Sequence, residues 1–302
     1  MGRSFIFTSL MLATTLAFGG NAKADGDGLR AWTIEEGTPP TSISNFPVPD
    51  EIDEYALCDT PDNIKWVQAG HQCLPTKQTS TSDEGEKALV IFIAGDVSSG
   101  GPDDYIDEVA EEVAQRSTGM DIRSLGRPGY EKDGLQGSGD DYGRGNGYRE
   151  EVIYAMASGA LRLKEASGRE KAVCVGHSGG AIICADILAL YPGVFDAAVL
   201  AACPCDIPRM REMRDRRPWP ESISPMDVVD KIPDSTTAVL TIAAEFDERA
   251  DPVLAEDFLA ELKSRSIQTN LEIVDSGHGG VVRTAEFHVA IQTAVDMTLG
   301  KQ

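Results

Sequence analysis

The sequence is poor in basic residues. It has 27 lysines and arginines against 49 aspartates and glutamates, which gives a formal net charge of −22 over 302 residues. Such a surface repels phosphate backbones and anionic lipids, so the composition argues against a nucleic-acid or membrane-surface partner. The same acidity is typical of an exported protein that stays soluble.

Long apolar runs are also scarce. The longest extends from about Phe5 to Phe18, after Met1-Gly2-Arg3, and falls short of the roughly 20 apolar residues needed to span a bilayer. Ala22-Lys23-Ala24 follows it, and a basic start, an apolar centre and an A-x-A ending are typical of a secretory signal peptide. We therefore predict a signal peptide over residues 1–24 and a secreted or periplasmic protein; a membrane anchor is the alternative.

Histidine is rare and cysteine moderate, with four and six residues respectively. A zinc site is disfavoured by the few histidines and by the cysteine spacing, so no metal is expected. In an oxidising compartment an even cysteine count favours disulfides, although six cysteines permit 15 pairings. Cys58 and Cys73 flank one polar segment and are the predicted pair. The other four (Cys174, Cys184, Cys203 and Cys205) lie near core elements, where buried free thiols are also common.

The chain changes character near residue 87. Residues 25–86 predict an N-terminal arm, extended to about residue 50, and a mostly irregular segment with one short strand pair around Trp66. From Ala88 onward, apolar runs of five to eight residues alternate with helical patterns, which is typical of β-α-β units and a mostly parallel sheet. The predicted strands cover 88–94, 119–125, 171–176, 196–202, 238–244 and 270–274. The predicted helices cover 103–115, 147–166, 179–190, 252–265 and 282–298.

Two stretches interrupt the alternation. Residues 126–146 form a glycine-rich loop, and residues 204–235, which contain six prolines, predict a small cap. The cap is short and charged and lacks a long apolar lid, which argues against action on bulk lipid. Arg127-Pro128-Gly129-Tyr130 and Cys203-Pro204-Cys205-Asp206 follow predicted strands and could line a substrate site, although turn formation alone also explains their prolines and glycines.

The strongest motif is Gly176-His177-Ser178-Gly179-Gly180. It follows the strand pattern KAVCVG directly and precedes the helical run that begins at Ala181. A serine at a tight strand-to-helix turn has an exposed hydroxyl and a strained backbone, and it needs small neighbours. The pattern therefore indicates a nucleophilic serine, although a plain turn built from small residues is the alternative.

A nucleophilic serine needs a base, and His278 is the best placed histidine. It lies between the last predicted strand and the last helix, in a loop with glycines on both sides. The other three are less suitable: His177 adjoins the nucleophile and points elsewhere, His288 is within a helix, and His71 is in the N-terminal segment. A solvated loop histidine is the non-catalytic interpretation of His278.

The base in turn needs an acid that fixes its tautomer. Asp247 is the first aspartate after the predicted strand 238–244, where a turn would project it across the sheet edge. Glu245 and Asp251 lie in the same loop, and Asp206 follows the preceding strand, so these three remain alternatives.

The order Ser178, Asp247, His278, together with the alternating strands and helices, resembles the α/β-hydrolase superfamily, in its esterase- and lipase-like branch. The resemblance covers residues 87 to about 298. It implies an α/β-hydrolase fold: a mostly parallel central sheet flanked by helices, with a small cap. Residues 87–302 would be the catalytic domain, with the cap at about 204–235 and the segment 25–86 packed against it.

The resemblance also implies an oxyanion hole formed by backbone N–H groups. One donor would be Gly179, and the second would come from the loop after strand 88–94, where Asp96 is the first choice and Val97 the reserve. Family members often have His-Gly where this chain has Ala94-Gly95. A carboxylate beside a developing anion is unfavourable, so we expect the Asp96 side chain to turn away.

These features predict a secreted serine hydrolase that cleaves a small-molecule carboxylic ester through an acyl-enzyme intermediate. No metal or organic cofactor is implied. A serine peptidase with the same fold is the first alternative, and a non-catalytic binding protein with a hydrolase fold is the second.

Overall fold

The computed structural model describes residues 58–59, 61–80, 87–97, 101–142, 147–263, 265 and 267–301. The predicted signal peptide (1–24) and the extended arm lie outside the described residues. In the described part of the chain, no helix is long and apolar enough to cross a membrane.

The described residues contain ten strands. In chain order they are β1 (Trp66–Ala69), β2 (Gln72–Ser80), β3 (Ala88–Ile93), β4 (Met120–Leu125), β5 (Glu131–Lys132), β6 (Leu135–Gln136), β7 (Ala172–His177), β8 (Ala197–Ala201), β9 (Ala238–Ala244) and β10 (Gln268–Val274). The α-helices described are α1 (Tyr105–Arg116), α2 (Glu150–Ser167), α3 (Gly179–Leu190), α4 (Ile207–Met213), α5 (Pro225–Val228), α6 (Pro252–Leu262) and α7 (Ala285–Thr298).

Eight of these strands form one sheet in the order β1-β2-β4-β3-β7-β8-β9-β10. In this sheet, β2 pairs antiparallel with both β1 and β4. The other neighbours, β4–β3, β3–β7, β7–β8, β8–β9 and β9–β10, pair in parallel. The six predicted strands are all present within about two residues of the expected bounds. The parallel strands β3 and β7 are buried along their whole length, as expected for strands with helices on both faces.

The helices cover both faces of the sheet. Alternate residues of β3 and β7, such as Phe92 and Val175, pack with Val109 of α1 and Phe287 of α7 on one face. Helix α2 contacts α3 on the opposite face, and α3 and α6 both contact the 3-10 helix Val229–Lys231 there. All twelve residues of α3 are buried, which fixes the direction in which the helix leaves β7.

The described residues before 87 are more regular than expected, since β2 alone covers nine residues. The strand pair expected around Trp66 exists, but it forms the edge of the main sheet, with β2 pairing to β4. The sequence QCLPTKQTS is polar and contains Pro75, a residue that normally argues against a strand. At this edge, the Pro75 carbonyl accepts a hydrogen bond from Gly126 N–H at 2.8 Å, so the segment joins the sheet all the same.

The structure pairs all six cysteines. Cys58 joins Cys73 as predicted, and Cys174 joins Cys184 between β7 and α3. Cys203 joins Cys205 in the segment that follows β8.

The glycine-rich loop after β4 is anchored by a buried ion cluster. It contains the short hairpin of β5 and β6, whose Lys132 has no exposed side-chain surface. The Lys132 ammonium lies 2.9 Å from Asp103 Oδ1 and 2.7 Å from Asp107 Oδ1, at the start of α1. Removing one member of such a cluster leaves a buried charge unpaired, so the cluster holds the loop against α1.

Candidate active site

Ser178 occupies the turn between β7 and α3 in a strained conformation. Its φ of 52° and ψ of −115° lie in a region that residues with side chains rarely adopt. The turn is too close for larger neighbours: a Cβ at Gly180 would overlap the carbonyl oxygen of Ile93, and a Cβ at Gly176 would overlap that of Gly180. The two glycines therefore allow the turn that raises the Ser178 hydroxyl above the sheet edge.

His278 lies within hydrogen-bonding distance of this hydroxyl. It follows β10 in the loop before α7, and its Nε2 is 2.9 Å from Ser178 Oγ. The structure thus brings together two side chains that are 100 positions apart in the sequence. This is the contact that a base requires in order to take the proton of a serine.

Asp247 binds the opposite nitrogen of the same ring. Its carboxylate oxygens lie 2.9 and 2.7 Å from His278 Nδ1, and its side chain is buried. Oδ1 also accepts hydrogen bonds from the backbone N–H groups of Arg249 at 2.8 Å and Ala250 at 2.9 Å. Burial by itself would raise the pKa of Asp247, but the contact with His278 and these N–H groups outweigh it, so the pKa lies below its usual value.

The other acids considered from the sequence have different roles. Asp206 caps α4 by accepting a hydrogen bond from Arg209 N–H, and Asp251 caps α6 through Val253 N–H. Glu245 is exposed, and the structure gives none of the three a contact with His278. Of the four acidic candidates, the structure places only Asp247 against the histidine.

His177 supports His278 in a way that the sequence analysis missed. Its Nε2 lies 3.0 Å from the backbone carbonyl oxygen of His278, and its Nδ1 lies 2.8 Å from the Tyr105 hydroxyl. That hydroxyl accepts a hydrogen bond from Gly95 N–H at 2.7 Å. Because a carbonyl can only accept, Nε2 carries the ring proton and Nδ1 accepts from Tyr105. A continuous chain of hydrogen bonds therefore links the loop after β3 to the backbone of His278.

This arrangement requires a neutral His177. The ring is buried, and burial lowers the pKa of His177 to about 4, with a further contribution from the nearby charge of His278. At neutral pH the imidazole therefore stays uncharged. Its tautomer is then set by Tyr105 and the His278 carbonyl.

The predicted oxyanion donors lie on two adjoining segments. Gly179 is the first residue of α3, where N–H groups have no partner within the helix. The loop that contains Asp96 runs against the same turn, since a Cβ at Gly95 would lie only 2.8 Å from Ser178 Cβ. The geometry therefore places both backbone segments beside the serine.

The expectation that the Asp96 side chain turns away is wrong. Its carboxylate lines the cavity and lies near Gly179, and Tyr148 donates a hydrogen bond to Oδ2 at 2.7 Å. Arg127 neutralises the charge, with Nη1 2.7 Å from Oδ1. The guanidinium group is buried, 4.6 Å from the ring centroid of Tyr130 and 5.4 Å from that of Tyr148. A carboxylate can remain beside the turn because this buried arginine compensates its charge.

A cavity of about 250 Å³ opens beside Ser178 and His278. Asp96 and Tyr148 form one side, and Ile182 of α3 lies beside the serine. The segment 204–235 also lines the cavity, and Pro204, one of the residues that the sequence suggested for the substrate site, is among its lining residues. The remaining lining residues are Met210, Arg211, Arg214, Trp219 and Arg249.

No group of three or more His, Cys, Asp or Glu side chains is arranged to hold a metal ion within the described ranges. The expectation that the protein needs neither metal nor organic cofactor stays a prediction.

In comparisons of sequence, no protein-family model and no curated protein matches the chain. Comparison with solved structures finds similar folds. The Pyrococcus furiosus esterase Pf2001 has a TM-score of 0.57 at 16% identity, over 80% of this chain and 96% of that chain. Est1E from Butyrivibrio proteoclasticus, solved with ferulic acid bound, has a TM-score of 0.56 at 16% identity, over 78% of this chain and 99% of that chain.

Two peptidases are similar over a smaller share of their own length. A puromycin-hydrolyzing peptidase from Mycobacterium tuberculosis has a TM-score of 0.56 at 16% identity, over 80% of this chain and 40% of that chain. The Pyrococcus horikoshii acylaminoacyl peptidase has a TM-score of 0.55 at 16% identity, over 74% of this chain and 38% of that chain. Together with the sheet order, these similarities show that the chain has the α/β-hydrolase fold, which confirms the fold prediction.

We predict that His177 remains neutral down to about pH 4. In long-range ¹H–¹⁵N spectra, its ring should show the tautomer protonated at Nε2 throughout pH 5–8, because burial disfavours the charged form. The His177→Gln variant identifies the resonance. A midpoint near the ordinary histidine value of about 6.5, or a proton on Nδ1 at neutral pH, would contradict the hydrogen-bond chain.

Proposed function

We propose that the protein is an exported serine hydrolase that cleaves carboxylic esters, with Ser178 as nucleophile, His278 as general base and Asp247 as the orienting acid. The observation that carries this proposal is the continuous contact from Ser178 Oγ to His278 Nε2 and from His278 Nδ1 to Asp247. The strained turn, which presents the hydroxyl to a cavity, supports the same assignment.

The first half of the reaction forms an acyl-enzyme. His278 Nε2 takes the proton of Ser178 as Oγ attacks the ester carbonyl carbon, and Asp247 stabilises the imidazolium that results. The negative charge moves to the former carbonyl oxygen, where the N–H groups of Gly179 and Asp96 are the proposed donors. When the intermediate collapses, the bond to the alcohol oxygen breaks and His278 returns the proton to that oxygen.

The second half releases the acid. His278 takes a proton from water, whose oxygen attacks the acyl carbon and forms a second tetrahedral intermediate. Collapse of this intermediate breaks the bond to Ser178 Oγ, which regains its proton from His278. Because His177 hydrogen-bonds to the backbone of His278, it helps to keep the base in position while the ring gains and loses charge.

We favour ester cleavage over peptide cleavage because the chain is similar in length to the two esterases and much shorter than the two peptidases. The chain covers 96% of the Pf2001 esterase and 99% of Est1E but about two-fifths of each peptidase. The same triad can cleave amides, so kinetics on a matched acylamino ester and anilide would compare the two activities. Similar kcat/KM values for both substrates would favour the peptidase alternative.

Export is part of the proposal. The signal peptide over residues 1–24, cleaved after Ala24, would deliver the chain to the periplasm or the cell exterior. The three disulfides support such an oxidising compartment. The proposed partner is a small-molecule ester, and the acidic composition disfavours nucleic acid and anionic membrane surfaces.

A fluorophosphonate probe tests the nucleophile. It should label the wild-type protein once, and labelling should be lost in Ser178→Ala because the attacking oxygen is absent. Ser167→Ala is the matched control. Ser167 is the last residue of α2, near the amino end of β7 and away from Ser178, and its hydroxyl donates a hydrogen bond to the Lys164 carbonyl. Absence of labelling in the folded wild-type protein would instead support the non-catalytic alternative.

The acid is tested by comparing Asp247→Asn with Asp206→Asn. Since an amide does not hold the required histidine tautomer, kcat on an aryl ester should fall about 10³- to 10⁴-fold in Asp247→Asn. Asp206→Asn should remain within a few-fold of wild type, because asparagine also caps a helix well. Circular dichroism verifies that both variants fold. A large loss confined to Asp206→Asn would overturn the assignment of Asp247.

A further inference from the structure

The cavity next to Ser178 carries positive charge in a strongly acidic protein. Five arginines lie within residues 209–217, although the chain as a whole has a net charge of −22. Two of them, Arg211 and Arg214, line the cavity, and Arg249 joins them from the loop after β9. The local charge therefore opposes the charge of the molecule beside Ser178, where a substrate would enter the cavity.

These three arginines have no ion-pair partner in the part of the chain that the structure describes. Arg209 pairs with Asp257 of α6, but the structure shows no carboxylate within ion-pair distance of Arg211, Arg214 or Arg249 among the described residues. Arg211 instead stacks on the Trp219 ring, with its Cζ 4.2 Å from the centroid, and donates from Nε to the Arg217 carbonyl at 2.7 Å. These contacts hold the guanidinium group in place and leave its charge unpaired.

Like charges accumulate around Arg211. Burial lowers the pKa of Arg211, and the nearby charges of Arg214 and Arg216 lower it further. Arg214 and Arg249 are exposed to solvent, and an anion bound among the three cavity arginines would offset their mutual repulsion.

The acidic residue that lines the cavity does not balance these charges. Asp96 accepts hydrogen bonds from Arg127 and Tyr148, so the buried Arg127 compensates its charge. Arg211, Arg214 and Arg249 then remain as net positive charge. The apolar part of the lining consists of Ile182, Met210, Pro204 and Trp219.

We propose that the cavity selects esters that carry a carboxylate, which binds to Arg214 and Arg249 with Arg211 beside them, while the rest of the substrate packs on the apolar lining. This inference rests on the proposed hydrolase function and adds the substrate class. Guanidinium groups are suited to carboxylates because their parallel N–H groups match the two oxygens. A short cationic region in an otherwise repulsive field would also guide anions specifically to the serine.

Two matched substrate pairs test the proposal. In the first, the carboxylate is on the acyl chain: 4-nitrophenyl hydrogen suberate is compared with its methyl ester. In the second, it is on the leaving group: 4-acetoxybenzoate is compared with methyl 4-acetoxybenzoate. The carboxylate member of at least one pair should have a kcat/KM about tenfold or more above its neutral partner, and 0.5 M salt should reduce that ratio.

Variants locate the source of the preference. In Arg214→Gln and in Arg249→Gln, the ratio of anionic to neutral kcat/KM should fall about tenfold, since each variant removes one cation from the cavity. Arg216→Gln is the matched control. It removes an exposed arginine of the same segment that does not line the cavity, so the ratio should stay at the wild-type value.

The possible failures are distinguishable. Equal kcat/KM values within both pairs would overturn the substrate class and leave the hydrolase proposal intact. If Arg216→Gln reduced the preference as much as Arg214→Gln does, the preference would come from the overall charge of the segment. The proposed binding site would then be overturned. If a folded wild-type protein hydrolysed none of the four esters, the proposed function itself would be contradicted.

Discussion

The contact between the β7–α3 turn and the end of β3 is the constraint on which the site depends. A Cβ at Gly180 would overlap the Ile93 carbonyl, and one at Gly176 would overlap the Gly180 carbonyl. This close approach of the two backbones lets Ser178 keep a φ of 52° while α3 begins immediately after it. The buried strands and the fully buried α3 hold the two backbones together, so packing of the sheet maintains the strained serine.

Around this turn, charge is compensated by hydrogen bonds and buried ion pairs. Asp247 is fixed by backbone N–H groups, and its pKa stays low although its side chain is buried. His177 is kept neutral by burial, and it joins Tyr105 to the backbone of His278. Asp96 is compensated by Arg127, whereas Arg211, Arg214 and Arg249 have no ion-pair partner among the described residues.

Much of the fold follows from sequence periodicity, because the central parallel strands β3, β7, β8 and β9 are buried and largely apolar. The same pattern placed Ser178, Asp247 and His278 after β7, β9 and β10, parallel strands whose carboxyl ends meet at one edge of the sheet. The strand pair around Trp66 was predicted, but its pairing to β4 was not, because β2 is polar and contains Pro75. Only the tertiary structure could show that an antiparallel pair completes the sheet.

The supporting residues of the site were harder to predict for a different reason. Tyr105 and His177 lie 72 positions apart, and Arg127 reaches Asp96 across 31 positions, so no local pattern connects them. A visible signal did exist for the cavity charge, namely five arginines within nine residues of an acidic chain. Its meaning depended on knowing that this segment lies beside Ser178.

The central claim is that Ser178 becomes covalently acylated during turnover. The direct measurement is tandem mass spectrometry of the protein quenched in acid during reaction with 4-nitrophenyl acetate. The account predicts an added acetyl group on the peptide that contains Ser178, absent in Ser178→Ala. Steady hydrolysis with no adduct at Ser178, or with the acetyl group on another residue, would contradict it.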